Sequence, residues 1–304
     1  MGGRAGYPHA MTSETITAAA SGTWRLGDLT VRRIGFGAMR LTHLADGSPS
    51  DRERVTSVLR RAVELGVNHI DTAAFYFSPL RSANELINRA LAPYADDLVI
   101  TTKVGPGRNS AGEWWWATPE QLRGQVEENL RQLGRDHLDV VNLRVPRQET
   151  TGSIAEHFGA LAELRTAGLI RHLGVSNVRP DHLAEARAIA PVVCVQNPYG
   201  IGSPAEDHAF LDACGQQGIA FVPFFAIAGA GKEAGVVAED AEQVRAVAEA
   251  HGVSAAQLRL AWTLNRGPHV LAIPGTGNPD HLVENIATGA LKLSPEEIAL
   301  LEAA

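Results

Sequence analysis

Four side chains of complementary chemistry stand just beyond short apolar runs. In Gly66-Val67-Asn68-His69-Ile70-Asp71-Thr72-Ala73-Ala74-Phe75-Tyr76 a short strand-like stretch runs into a carboxylate, and a phenol follows. Leu98-Val99-Ile100-Thr101-Thr102 ends on Lys103, and Leu138-Asp139-Val140-Val141-Asn142-Leu143 ends on Arg144. An ordinary tyrosine, with a pKa of about 10, releases its proton at neutral pH at a cost of ~4 kcal/mol. An ammonium beside it lowers that cost, and a carboxylate holds the lysine charged and in place. Asp71, Lys103 and Tyr76 so arranged make a general acid that protonates a carbonyl oxygen as hydride reaches the carbon. Arg144 cannot exchange a proton at neutral pH, but its fixed donors can polarise that oxygen or grip a carboxylate with two prongs. Taken singly, each residue also fits a bland role as turn cap, loop aromatic or rim charge. The chemistry therefore requires a fold that gathers them.

The surrounding chain repeats strand then helix. Short apolar strands are expected at 34–37, 67–71, 98–103, 138–143, 171–175, 191–196, 218–224 and 270–273. Amphipathic helices are expected at 51–65, 82–92, 118–133, 153–167, 180–188, 205–216, 239–250, 254–265 and 279–288, with a last helix at 294–302. Near-continuous apolar strands separated by helices imply a parallel sheet covered by helices. Eight such units in about 270 residues fit a closed (β/α)8 TIM barrel, whose strand ends at one mouth carry the chemistry. An open doubly wound sheet is the competitor, but no G-x-G-x-x-G opens a helix. A hairpin around Gly27-Asp28 precedes the barrel and is expected to plug its floor. Residues 1–22 read as a disordered leader and 23–304 as one barrel domain.

Composition narrows the function. A net charge of −7 over 304 residues argues against a general nucleic-acid binder. Two cysteines, Cys194 and Cys214, fit a reducing, cytoplasmic setting. No apolar run approaches the ~20 residues of a membrane span. The eleven histidines lack metal-ligand spacing, so no metal is expected, and His69 and His172 read as half-buried. No G-x-S-x-G elbow argues for acyl transfer.

Here the residues match a family. From the hairpin to helix 279–288 the chain resembles the aldo-keto reductases. The resemblance is carried by Ile34-Gly35-Phe36-Gly37-Ala38-Met39, Asp71-Thr72-Ala73-Ala74-Phe75-Tyr76, Thr102-Lys103-Val104-Gly105, Gly174-Val175-Ser176-Asn177, and Ile273-Pro274-Gly275-Thr276 with Glu284-Asn285. It implies NAD(P)H-dependent reduction of an aldehyde or ketone by an Asp, Tyr, Lys and His tetrad. Asp71, Tyr76 and Lys103 take the first three places; Arg144 stands where the family has histidine. Cofactor contacts are implied for Gly37, Ala38, Met39 and Asp71 at the early strands. Further ones fall on Ser176, Asn177 and Gln196 around the nicotinamide amide and on Phe224 as its stacking ring. Ile227 and Gly229 fall in a pyrophosphate strap, and Thr276, Glu284 and Asn285 at the adenosine end. Gly275 and His281 replace a lysine and an arginine of many relatives, so NADPH is implied by family habit and NADH is compatible with the residues.

Trp114, Trp115 and Trp116 follow Lys103 in a loop outside any strand, and at least one is expected to line the substrate pocket. The leading reading is a carbonyl reductase acting on a small molecule, with no statement on oligomeric state. Two others compete: a nicotinamide-binding regulatory or scaffold protein with little turnover, motivated by Arg144, and a Schiff-base lyase working through Lys103.

Overall fold

The computed structural model describes residues 16–43, 50–109, 111–146, 151–227 and 242–302. In chain order its strands are β1 (Thr23–Leu26), β2 (Leu29–Arg32), β3 (Phe36–Gly37), β4 (His69–Asp71), β5 (Phe77–Ser78), β6 (Arg81–Ser82), β7 (Val99–Val104), β8 (Pro106–Arg108), β9 (Trp114–Trp116), β10 (Leu138–Arg144), β11 (Ile170–Ser176), β12 (Val192–Gln196) and β13 (Ala220–Phe221). The helices are α1 (Arg52–Glu64), α2 (Ala83–Leu91), α3 (Leu122–Leu133), α4 (Ala155–Thr166), α5 (Pro180–Ile189), α6 (Ala205–Gln216), α7 (Glu242–His251), α8 (Ala255–Asn265), α9 (Pro279–Ala287) and α10 (Pro295–Glu302).

Strands β3, β4, β7, β10, β11, β12 and β13 lie side by side in one parallel sheet. The expected eighth strand at 270–273 is reduced to isolated bridges, Ala272 to Ile34 and Val270 to Phe221. They close the ring all the same: the Gly35 N–H donates to the Ala272 carbonyl at 2.8 Å and the Leu271 N–H to the Phe221 carbonyl at 2.9 Å. Gly37 serves this closure, because a Cβ there would stand 2.5 Å from the Ile273 carbonyl oxygen. The molecule is an α/β barrel of the (β/α)8 kind.

Helices take their ends from local chemistry. Asp51 caps α1 by accepting from the Arg54 N–H at 2.7 Å, and α3 stops at Gly134 in the left-handed conformation with φ 64°. Their apolar stripes, such as Val55, Val58, Leu59 and Ala62 of α1, bury against the outside of the sheet. Inside the floor of the barrel, Val99, Val140, Val193 and Leu271 meet Leu26 and Val31 of the β1–β2 hairpin. Part of the expected leader is instead structured and packs in the main core between sheet and helices. Residues 18–21 form a 3₁₀ turn with Ala18 wholly buried, and the Ala18 N–H donates to the Leu65 carbonyl at 2.9 Å. The short side chains of this turn give no apolar pattern in the sequence, although Ala18 and Ser21 are buried in the fold. Among the described residues no helix is long and apolar enough to cross a membrane.

Candidate active site

Successive strand residues face opposite sides, so positions two apart share the barrel interior. That rule puts His69 beneath Asp71, Thr101 beneath Lys103, Asn142 beneath Arg144 and Cys194 beneath Gln196. The upper layer is the charged one. Lys103 Nζ donates to Asp71 Oδ1 at 2.5 Å and to the Thr72 carbonyl at 2.9 Å. Gln196 Nε2 donates to Asp71 Oδ2 at 2.8 Å, so both carboxylate oxygens are committed. The pair is almost entirely removed from water, which strengthens its attraction and demands these extra partners. Tyr76 lies just past β4, held by its own N–H to the Ala73 carbonyl at 3.0 Å and by its carbonyl to the Ala83 N–H at 2.9 Å. The Lys103 ammonium sits 4.9 Å from the Tyr76 ring centroid.

Beneath is a polar layer that the apolar reading of these strands did not anticipate. His69 Nε2 is 3.1 Å from Thr101 Oγ1, and the Cys194 thiol donates to Asn142 Oδ1 at 3.2 Å. His69, expected half-buried, is fully buried, and burial takes its pKa down to about 4, against a raising influence from Asp71. Outside the sheet a second chain supports Thr72 and Lys103. The Thr72 hydroxyl donates to Asn84 Oδ1 at 2.8 Å, and Asn84 Nδ2 donates to Asn129 Oδ1 at 3.0 Å. Asn129 Oδ1 also accepts from the Thr102 hydroxyl at 2.6 Å.

The mouth opens into a cleft of about 510 Å³ lined by Asp71, Tyr76, Lys103 and Gln196 and by Arg144, Phe224 and Ile227, with Gly37, Met39 and Gly275 on the side of barrel closure. Arg144 Nη1 donates to Ser176 Oγ at 3.2 Å, and its Cζ lies 4.8 Å over the Phe224 ring. The guanidinium is thus held by a hydroxyl and a ring face and forms no ion pair with the described residues. Asn177 adopts φ 59° and turns its amide to the Val145 carbonyl at 2.9 Å. Gly275 packs where a Cβ would strike the Gly37 carbonyl, so no side chain fits there without a backbone shift.

The remaining expected residues fall into two groups. Ala38, Ser176, Asn177 and Thr276 adjoin the cleft-lining residues in sequence or contact without lining the cleft, and Thr276 Oγ1 accepts from the Asn278 N–H at 2.9 Å. His281, Glu284 and Asn285 lie on α9, outside the cleft wall. Gly229 and the rest of the expected strap after Ile227 lie outside the described residues.

The tryptophans require correction. They form a strand, β9, paired with β8. A strand alternates its faces, so adjacent indoles cannot share one pocket. Trp114 lines the cleft, Trp115 covers Gly107, and Trp116 packs on Gly105, the core and His157 at 4.9 Å. Unanticipated wall residues are Phe75, Phe77, Arg108 and His43. Phe75 and Phe77 flank Tyr76 in sequence, and that proximity was the available signal. Among the described residues no group of three His, Cys, Asp or Glu converges as a metal site would.

Known proteins resemble this chain over nearly its whole length. The model of the Aldo/keto reductase family matches residues 33–304. A pyridoxine 4-dehydrogenase of Escherichia coli is 44% identical over 289 residues, spanning 93% of this chain and 98% of its own. The structure of a thermostable aldo-keto reductase in complex with the inhibitor epalrestat agrees at a TM-score of 0.77 and 29% identity, over 92% of this chain and 98% of that one. An aldo/keto reductase from Klebsiella pneumoniae in complex with NADP and acetate agrees at 0.74 and 28%, over 92% and 94%.

Proposed function

The chain belongs to the aldo/keto reductase family, and from that premise we propose that it reduces an aldehyde or ketone with NADPH, Tyr76 delivering the proton to the carbonyl oxygen. The supporting observation is the buried Lys103–Asp71 contact at 2.5 Å with the ammonium 4.9 Å from the Tyr76 ring, at the open mouth of the barrel.

The residues fit a nicotinamide cofactor. Gln196 Oε1 is buried without a hydrogen-bond partner, as an acceptor for a carboxamide N–H would be. The Phe224 ring and the bare backbone at Gly37 and Gly275 line the same wall. Ala38, Met39, Ser176, Asn177, Ile227, Thr276, Glu284 and Asn285 are proposed to complete the hold, with NADPH as the physiological form. Such a cofactor supplies the hydride that reaches the carbonyl carbon.

The chain supplies the rest. As the phenol O–H bond breaks and the proton passes to the carbonyl oxygen, negative charge grows on the Tyr76 oxygen. The Lys103 ammonium stabilises that charge in a site shielded from water. Asp71 keeps the ammonium in position, and Gln196 and the Thr72 carbonyl fix the pair. Arg144, held by Ser176 and Phe224, presents its other N–H donors to the carbonyl oxygen, doing by hydrogen bonding what a neutral histidine would do. The aromatic wall of Phe75, Phe77 and Trp114 suits an aromatic carbonyl compound. The E. coli relative is named for acting on pyridoxine, an aromatic alcohol, and the corresponding aldehyde belongs in any substrate panel.

The test is consumption of NADPH, read as loss of nicotinamide absorbance, with a panel of aromatic and aliphatic aldehydes. Tyr76→Phe removes the proton donor and is expected to lower kcat by about 100-fold or more. Undiminished turnover in that variant sinks the mechanism. Tight NADPH binding with no turnover on any carbonyl compound, together with a stable partner in a pull-down, would instead favour a regulatory or scaffold role.

A further inference from the structure

A line of rings runs outward from the proton donor along one wall. Phe75 meets Tyr76 edge-on at 5.2 Å, and Trp114 meets Phe75 edge-on at 5.6 Å. Beyond them the Arg108 guanidinium carbon stands 5.7 Å from the Trp114 ring and 5.6 Å from that of Phe77. Arg108 is exposed and lines the cleft. Among the described residues its hydrogen-bond partners are two carbonyls at long range, Gly112 at 3.3 Å and Phe77 at 3.4 Å, and no carboxylate pairs with it. Among the described residues the one acid in the cleft lining is Asp71, whose oxygens are both taken.

Among the described residues this end of the cleft gathers cations, Arg40 with Arg108. His43 also lines it, and its protonation is held down by burial first and then by the charges of Arg40 and Arg108. Trp114 is 61% exposed there, an apolar ring open to an incoming molecule. A flat molecule laid along the wall with its carbonyl towards Tyr76 would run towards a planar, aromatic-flanked guanidinium. That guanidinium matches a carboxylate in shape as well as charge.

We propose that Arg108 is a substrate-recognition residue, and that the cleft takes aryl aldehydes carrying a carboxylate on the side of the ring away from the carbonyl. The inference rests on the reading of this cleft as the site of carbonyl reduction, and it adds a chemical class of substrate to that reading.

The experiment compares 4-carboxybenzaldehyde with 4-methylbenzaldehyde, a neutral molecule of similar shape, in wild type, Arg108→Leu and Arg108→Lys. Losing a charge-assisted hydrogen bond should lower kcat/KM for the carboxylate substrate by about tenfold or more in the leucine variant, through KM. The neutral substrate should change by less than about twofold, and lysine should recover part of the loss because it keeps charge without the fork. Equal losses on both substrates, or no loss on the carboxylate, overturn the proposal. If wild type reduces neither aldehyde, calorimetric binding of 4-carboxybenzyl alcohol against 4-methylbenzyl alcohol decides. A preference for the acid that depends on Arg108 keeps the recognition site while the reductase reading falls; the absence of such a preference ends it.

Discussion

At the scale of single residues, the informative departures are Arg144 and His69. In the mechanism proposed above, Arg144 offers hydrogen bonds where a histidine could also trade a proton, and the whole duty of proton delivery is assigned to Tyr76. Replacing Arg144 by leucine removes the donors and leaves the phenol in place. Initial rates should show kcat/KM lowered by about 100-fold, the size of effect seen when an oxyanion donor is lost. His69 carries a consequence for stability. In the unfolded chain it takes a proton near its ordinary pKa of 6.5, but in the folded protein only near 4. Between those values the unfolded chain binds more protons, so stability falls as pH drops from 6.5 to about 4, by roughly 3 kcal/mol from this residue. Urea midpoints of wild type and His69→Gln at pH 7 and pH 4.5 should differ in this sense, with the variant losing less on acidification. Equal losses would show that His69 is protonated without penalty.

At the scale of elements, a two-residue alternation explains how strands that look uniformly apolar carry a site. Val99, Thr101 and Lys103 point inward from β7, while Ile100, Thr102 and Val104 point to the helices. The inward row grades from hydrocarbon at the floor to polar groups and then to charge at the mouth. The outward row holds the site from behind. Asn84, at the start of α2, takes the Thr72 hydroxyl and gives its amide to Asn129 of α3, so two helices are registered on the strand end that offers a carbonyl to Lys103. All three partners are buried, and leaving them unpaired is costly. Asn84→Leu should lower stability by roughly 3 kcal/mol in urea unfolding.

For the whole molecule, the weak point of a barrel is its seam. The first strand must find the last unit of the fold across almost the full chain length, and only bridges join them. Arg33 compensates. Its guanidinium donates to the carbonyls of Ser21, Leu264, Gly267 and Val270, tying the 18–21 turn, the end of α8 and the closing segment to the start of β3. Burial depresses its pKa, yet an arginine stays charged and keeps every donor. Arg33→Met keeps the bulk of the stem and strands four carbonyls. It should cost roughly 3 kcal/mol, read as a drop of several degrees in Tm.

The succession of main strands and helices and the barrel class were legible in the chain itself, as was the placing of the four candidate residues at or just past strand ends; the short pairs β5–β6 and β8–β9 were not. Strand spacing, helix caps and the residue types at strand ends depend only on neighbours in sequence. The triple tryptophan was legible in part: one indole, Trp114, does line the cleft, but the segment is a strand and alternation turns Trp115 the other way. Residues 18–22 misled because short side chains carry no apolar period, yet Ala18 and Ser21 are buried by partners distant in sequence. What only the tertiary structure decided was convergence. Arg108 meets the line of rings from Tyr76, Arg144 settles between Ser176 and Phe224, and His69 loses its water, because chain segments far apart in sequence enclose the same volume. Contacts and desolvation of that kind belong to the packed barrel and leave no local mark in the sequence.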